Sequence, residues 1–182
     1  MQKETSGKVA APSAKMLVLV CKNLACVKIT GRANFTFSPD FKTLVNELQQ
    51  KGCGHFIIDL SECVHMDSTF LGVMAGFGLK MNQAGAGDQR CFELLNPNAR
   101  ITELLENLGA LHLFKVTAGT AQLPGDIQAC TPDSINPTRE QIKRTSLEAH
   151  QTLMAVNPAN VARFKDVTLF LAEDLKNLKN CS

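Results

Sequence analysis

The stretch HFIIDLSECVHMDSTFLG, residues 55–72, decides the fold of this chain. Its first six residues are nearly continuously apolar and of strand length, which is typical of a strand covered on both faces. The next six residues are predicted to form a loop. Either Asp67 or Ser68 then caps a strongly apolar predicted helix that runs to about Gln83 and stops near the glycines within residues 85–87. The stretch therefore predicts a strand, a loop and a helix in succession.

The alternation of strands and helices continues in both directions from this stretch. Lys22 and Asn23 predict a tight hairpin turn between two short β-rich runs, and a loop is predicted to begin at Gly31. A helix is predicted to start with Ser38 as N-cap and Pro39 as its first residue, and another to follow residues 96–98. The predicted strands are 16–21, 25–30, 55–60, 91–95 and 111–116. This order predicts an α/β sandwich with a mixed sheet of four to five strands and helices, spanning residues 16–116.

The segments outside 16–116 differ in character. Residues 1–15 are polar and are predicted to be a flexible N-terminus. Residues 117–137 lack periodicity and are rich in Gly, Pro and Thr, which predicts a linker or a long surface loop. Residues 138–182 are predicted to form a C-terminal helical extension, because 138–141 has capping-box spacing and an amphipathic stripe follows. The stripe consists of Val161, Phe164, Val167, Leu171, Leu175 and Leu178. An apolar face this regular has to be buried against another surface. That surface is the other tail helix, the main domain or a second subunit.

Composition narrows the classes of function. The formal net charge of +2, from 19 basic and 17 acidic residues, gives no case for nucleic acid or an anionic membrane as partner. Seven cysteines without a CxxC pair argue against a disulfide framework and a Cys-only zinc site, and the four histidines share no metal-binding spacing. No run reaches the roughly 20 apolar residues that span a bilayer. We therefore expect a cytoplasmic protein that has no metal or other cofactor.

The start of the helix predicted after Met66 is the position best suited to carry a phosphate. Helix N-termini leave amide N–H groups unpaired and carry partial positive charge. A phosphate on Ser68 is therefore stabilised locally, and its charge and bulk change the outer surface more than the fold. Such a position suits a switch of partner affinity.

This segment resembles the signature of STAS domains that act as anti-sigma factor antagonists, in which Asp-Ser-Ser/Thr-Gly-Leu-Gly opens a helix after a strand and a loop. Asp67, Ser68, Thr69 and Gly72 match it, as does Leu71, whereas Phe70 stands where the family usually has Gly. GRAN, residues 31–34, resembles the family's Gly-x-Leu-Asp loop with Asn34 in the Asp position. Residues 96–111 resemble the family's last helix and its Gly-Leu turn.

The resemblance implies a STAS-like fold and a binding module that is not an enzyme. Ser68 is then the residue phosphorylated by an anti-sigma factor serine kinase, and a serine phosphatase reverses the modification. The implied partner-binding residues are Asn34, Asp67, Ser68, Thr69, Phe70 and Gly72. Phe70 is the candidate for an exposed apolar contact beside the switch.

Other interpretations stay open. Ser68 can be a simple N-cap, and the domain can be a non-switching scaffold whose C-terminal helices form a homodimer. A third class is a small hydrolase that uses Ser68 or a Cys as nucleophile. His65 and Cys63 lie near Ser68 in the sequence, but no orienting group accompanies a nucleophile–base pair there. Gly72, Gly76 and Gly78 are interpreted as sites where the helix packs closely on the sheet.

Overall fold

A computed structural model describes residues 14–83, 91–121 and 128–180. The strands are β1 (Lys15–Cys21), β2 (Leu24–Ala33), β3 (His55–Met66), β4 (Cys91–Leu95), β5 (Lys115–Thr117) and β6 (Gln128–Cys130). The helices are α1 (Ser38–Gln50), α2 (Ser68–Gln83), α3 (Ala99–Asn107), α4 (Arg139–Val156) and α5 (Val161–Asn180). Short 3-10 turns lie at Leu111–Leu113 and Pro158–Asn160, so only the end of the strand predicted at 111–116 belongs to β5. The predicted flexible N-terminus and the glycines after Gln83 lie outside the described residues, except for residues 14 and 15.

The six strands form one mixed sheet in the order β5-β4-β3-β2-β1-β6. β2, β3, β4 and β5 run parallel to one another, whereas β1 pairs antiparallel with β2 and β6. The predicted α/β fold with a mixed sheet is confirmed. The predicted turn at Lys22 and Asn23 joins β1 to β2, and Lys22 adopts a positive φ of 53° there.

The described residues of the segment predicted as a linker or a long surface loop, 117–121 and 128–137, include a paired strand. β6 lies within 117–137 and pairs with residues 18–20 of β1, which accounts for the sixth strand. Further along, the Asp40 carboxylate of α1 accepts hydrogen bonds from the Ser134 hydroxyl and the Ile135 amide, both at 2.8 Å. A three-residue strand is too short to show periodicity in the sequence, so β6 was not predicted. It forms because β1 offers an unpaired edge with which it can pair.

β2 and β3 are both longer than the sequence predicts. β2 continues through Gly31, which has a φ of 78°, and its last residues pair with the last residues of β3. The predictions of a loop beginning at Gly31 and of a loop over residues 61–66 are wrong, because two register shifts let the strands stay paired. Both strands therefore end at the same edge of the sheet, one residue before Asn34 and Asp67.

The helix starts lie within a residue of the predicted signals. Ser38 is the first residue of α1 and not its N-cap, and its hydroxyl donates to the Asn34 carbonyl oxygen at 3.0 Å. Asn98 caps α3 by accepting a hydrogen bond from the amide of the third helical residue. Thr138 and Gln141 form the predicted capping box of α4.

The helices α1, α2, α3 and α4 share one hydrophobic core with one face of the sheet. Phe56 and Ile58 of β3 belong to this core, whereas Ile57 points to the opposite face, as strand alternation requires. On that face a smaller apolar cluster is formed by Leu24, Cys26, Ile57 and Leu95.

The two tail helices form a C-terminal hairpin, residues 139–180. His150 of α4 contacts Phe164 of α5 at a ring distance of 4.7 Å, and Lys143 pairs with Asp174, so the helices run antiparallel. α4 packs mainly on α2, and α5 packs on α4. The inner part of the predicted stripe is covered by this contact, whereas Val161, Val167 and Leu178 stay exposed. Within the described residues, no helix has both the length and the apolar character to cross a bilayer.

Candidate functional site

Asp67, which links β3 to α2, fixes the start of α2. Its Oδ1 accepts a hydrogen bond from the Phe70 amide at 2.9 Å, and its Oδ2 accepts one from the Phe35 amide at 2.7 Å. Its own amide donates to the Ala33 carbonyl oxygen at 3.0 Å. Asp67 is therefore the cap of α2 and ties the ends of β2 and β3 together. The Ser68 hydroxyl is left free of the capping role.

Ser68 is half-buried, and its hydroxyl is bonded to the C-terminal hairpin. Its Oγ lies 3.1 Å from Nε2 of His150 on α4. Nδ1 of His150 lies 2.8 Å from the Ser146 carbonyl oxygen, which can only accept a hydrogen bond. Nδ1 therefore carries the proton and Nε2 the lone pair, and the Ser68 hydroxyl donates to Nε2.

His150 is buried, and burial lowers its pKa below the ordinary value, while the hydrogen bond to Ser146 and the charge of Asp67 oppose that shift. The imidazole is therefore neutral at pH 7. Neutral imidazole beside a serine hydroxyl is an arrangement found in serine hydrolases. Here, however, the group that orients Nδ1 is a main-chain carbonyl, where a catalytic triad has a carboxylate.

One turn into α2, Gly72 lies directly against α4. A Cβ atom at Gly72 would lie 2.5 Å from the carbonyl oxygen of Ala149, whereas one at Gly76 would lie 4.0 Å from its nearest neighbour, Thr152. The interpretation of Gly72 as a contact with the sheet is therefore wrong: its missing side chain admits the backbone of α4. The same interpretation is wrong for Gly76, which faces Thr152 of α4, and for Gly78, which packs against Leu113 in a 3-10 turn.

The other predicted site residues differ in burial: Asn34 is partly accessible, whereas Thr69 and Phe70 are buried. Asn34 is half-buried near Asp67, and its Oδ1 accepts a hydrogen bond from the Thr36 hydroxyl at 2.7 Å. Thr69 and Phe70 are buried, and the Phe70 ring lies 4.7 Å from that of Phe41. The prediction of an exposed Phe70 is wrong, because the first turn of α2 directs this side chain into the core.

The STAS domain family model matches residues 16–122. The chain belongs to the STAS domain family. Comparison with curated protein sequences gives no match.

Solved structures similar to this chain include two proteins described as anti-sigma factor antagonists. SpoIIAA in its unphosphorylated form aligns with a TM-score of 0.50 and 15% identity, covering 58% of this chain and 88% of SpoIIAA. An anti-sigma factor antagonist from Mycobacterium paratuberculosis aligns with a TM-score of 0.48 and 15% identity, covering 57% and 85%. At these identities the SpoIIAA comparison supports the STAS fold, and it concerns little more than half of the chain.

The residue that the sequence did not reveal is His150, which lies beyond the matched STAS region. A usable signal was the small residue Ala149 on α4, which complements Gly72 on α2. His65, the base considered from the sequence, lies in β3.

Among the described residues, one group has side chains placed to hold a metal ion: His55, Cys91 and Glu93 at the start of β3 and in β4. Burial by itself raises the pKa of Glu93, but hydrogen bonds from Thr117 and Lys115 outweigh it and lower the pKa. The Lys115 ammonium lies 3.1 Å from Glu93 Oε2, so it competes with a cation for this carboxylate. The group lies in the sheet and not beside Ser68.

Proposed function

We propose that this STAS protein is a regulatory, non-enzymatic binding module of the anti-sigma factor antagonist type, switched by phosphorylation of Ser68. The observation that carries the proposal is the division of roles at the start of α2. Asp67 caps the helix, so the Ser68 hydroxyl can be modified without loss of the cap. The fold neighbour SpoIIAA, an anti-sigma factor antagonist, supplies the class of partner.

The electrostatics of the helix start favour a phosphate at this position. α2 has 16 residues and Ser68 is the first of them, so its side chain lies at the end of the helix that carries partial positive charge. A phosphoserine adds between about −1.5 and −2 charge at neutral pH. The phosphate lies at the edge of the sheet where β2 and β3 end. Its negative charge and its bulk would oppose the docking of a partner on Asn34 and Asp67. An anti-sigma factor serine kinase would therefore bind the unmodified form and release the phosphorylated one, and a serine phosphatase would restore binding.

The proposal is tested by incubating the full chain with its anti-sigma factor kinase and ATP and measuring intact mass. We expect one phosphate in the parent chain and none in Ser68→Ala. Ser61→Ala is the matched control, because Ser61 is exposed in the neighbouring part of β3. Phosphate gain by Ser68→Ala at the parent rate would reject Ser68 as the switch.

A second candidate is a scaffold that assembles through α5. Leu169 and Phe170 are adjacent on this helix, and each is 63% exposed. Two such neighbours on one helix favour a protein contact, as in a homodimer. Light scattering of the parent chain and of Leu169→Glu tests it: a dimer that becomes a monomer supports the scaffold, and a monomeric parent chain rejects it.

A further inference from the structure

The C-terminal hairpin lies across the surface that the proposed switch uses. Besides the Ser68–His150 hydrogen bond, α4 is held by the close approach at Gly72 and by Leu153, whose side chain is fully buried in the core. At the far end, the side-chain amide of Asn160 donates to the carbonyl oxygens of Leu108, at 2.9 Å, and of Leu153, at 2.8 Å. α4 and the turn that follows it are thus packed against the STAS core, and α5 packs on α4.

We infer that the docked hairpin and a phosphorylated Ser68 exclude one another, so that the hairpin is an internal gate on the Ser68 surface. The inference rests on the proposed function in one respect, the choice of Ser68 as the modified residue.

The first reason is steric. Oγ of Ser68 and Nε2 of His150 are 3.1 Å apart, which is the spacing of a direct hydrogen bond. A phosphoryl group attached to Oγ places a phosphorus and three oxygens around this atom, and a kinase has to enclose the hydroxyl before transfer. α4 therefore has to move away before Ser68 can react.

The second reason is electrostatic. His150 presents a lone pair to Ser68, since its proton is held at Nδ1 by Ser146, and Asp67 already places a negative charge beside it. A phosphate would face both groups. The basic residues nearest His150 on α4 are Lys143 and Arg144, and they pair with Asp174 and Glu140.

No described hydrogen bond, ion pair or ring contact places a cation from another element against His150. From α5, the group against the imidazole is the Phe164 ring. From α1, Lys42 is paired with Glu148 of α4. In the docked state the phosphate would be partly buried, and a pairing charge beyond the partial charge of the helix start would require His150 to take a proton at Nε2, which its burial opposes.

The gate sets the affinity of the proposed partner. A protein that docks around Ser68 has to displace α4 first, so its apparent affinity is reduced by the fraction of chains that are open. Phosphorylation holds the hairpin away from α2, and removal of the phosphate lets it return.

Hydrogen exchange of the full chain tests the inference without the kinase. Phosphoserine is installed at position 68 during translation, and deuterium uptake is followed by mass spectrometry. We expect amides of α4 to exchange at least about tenfold faster than in the unmodified chain, with β3 and β4 unchanged. Phosphoserine at position 61, exposed on β3, is the control and should leave α4 as it is. Equal or slower exchange of α4 with phosphoserine 68 would overturn the inference.

A phosphate-free arm uses the two glycines of α2. Gly72→Ala should open α4, because the new Cβ would lie 2.5 Å from the Ala149 oxygen, whereas Gly76→Ala has room and should not. Faster exchange confined to α4 in Gly72→Ala supports the gate, and parent-like exchange overturns it. If the amides of β3 also exchange faster in Gly72→Ala, the substitution has destabilised the whole domain. The comparison of phosphoserine at positions 68 and 61, made in the unsubstituted chain, then tests the inference. Because neither arm uses the kinase, failure of the gate and failure of Ser68 as a kinase substrate give different results.

Discussion

Phe70 stands where the STAS signature has Gly, and replacing it should destabilise the fold rather than restore a family surface. Its side chain is fully buried, with ring distances of 4.7 Å to Phe41 and 6.1 Å to Phe37. Removal of a buried Phe side chain costs about 3–5 kcal/mol, including the cavity it leaves. Phe70→Gly adds about 1 kcal/mol, because Gly is a poor helix residue. We expect a loss of unfolding free energy of about 3–5 kcal/mol for Phe70→Ala and about 1 kcal/mol more for Phe70→Gly.

The assay is urea denaturation followed by far-ultraviolet circular dichroism, because the chain has neither Trp nor Tyr as a fluorescent probe. Phe170→Ala is the matched control: this ring is 63% exposed, and its loss should change stability by no more than about 0.5 kcal/mol. A difference between Phe70→Ala and Phe170→Ala below about 1 kcal/mol would refute the placement of Phe70 in the core. Such a result would support the sequence-based prediction that Phe70 is an exposed contact on the docking surface.

Three further outcomes are expected. Burial lowers the pKa of His150 in the folded state, with Asp67 opposing, so this group contributes stability that is complete above about pH 6.5 and is lost as pH falls below it. The urea midpoint of the parent chain should therefore fall more steeply with acid than that of His150→Gln, and parallel pH profiles would contradict this. Asn160→Ala removes the side-chain donor from the buried carbonyl oxygens of Leu108 and Leu153, although the Leu153 oxygen keeps its hydrogen bond from the Asn157 amide. The substitution should cost about 1–3 kcal/mol in the same denaturation assay, and a loss below about 0.5 kcal/mol would be the adverse result. Burial, and next the charge of a nearby Asp, raise the pKa of Cys26 to about 11. The exposed Cys130 should therefore react with N-ethylmaleimide at least about 100-fold faster than Cys26, as measured by peptide mapping. Comparable rates for the two thiols would mean that Cys26 is not enclosed.

The sequence predicted the elements whose signals are local. Strands such as β4 and helices such as α2 follow from apolar runs and caps, and the capping box of α4 was recognised from its spacing alone. The motif around Ser68 could be placed at a helix start for the same reason, because a cap and its helix are neighbours in sequence. The sequence could not show that β2 and β3 extend to Asn34 and Asp67, since their last residues are held by pairing with each other.

The direction of side chains on the first turns of α2 was also beyond the sequence. Phe70 was the candidate for an exposed contact because it lies in the first turn beside Ser68, yet its orientation is set by the core formed with Phe37 and Phe41. Gly72 looked like a contact with the sheet, yet it faces Ala149, which is 77 positions away in the chain.

By itself, the sequence determined an α/β STAS core with a serine at the start of an apolar helix and a helical tail after it, because hydrophobic periodicity and capping act over a few residues. Only the tertiary structure decided where that tail lies. The hydrogen bond from Ser68 to His150 joins residues 82 apart. Such a contact depends on how two helix surfaces fit together, and that fit is a property of packed side chains which no local pattern carries.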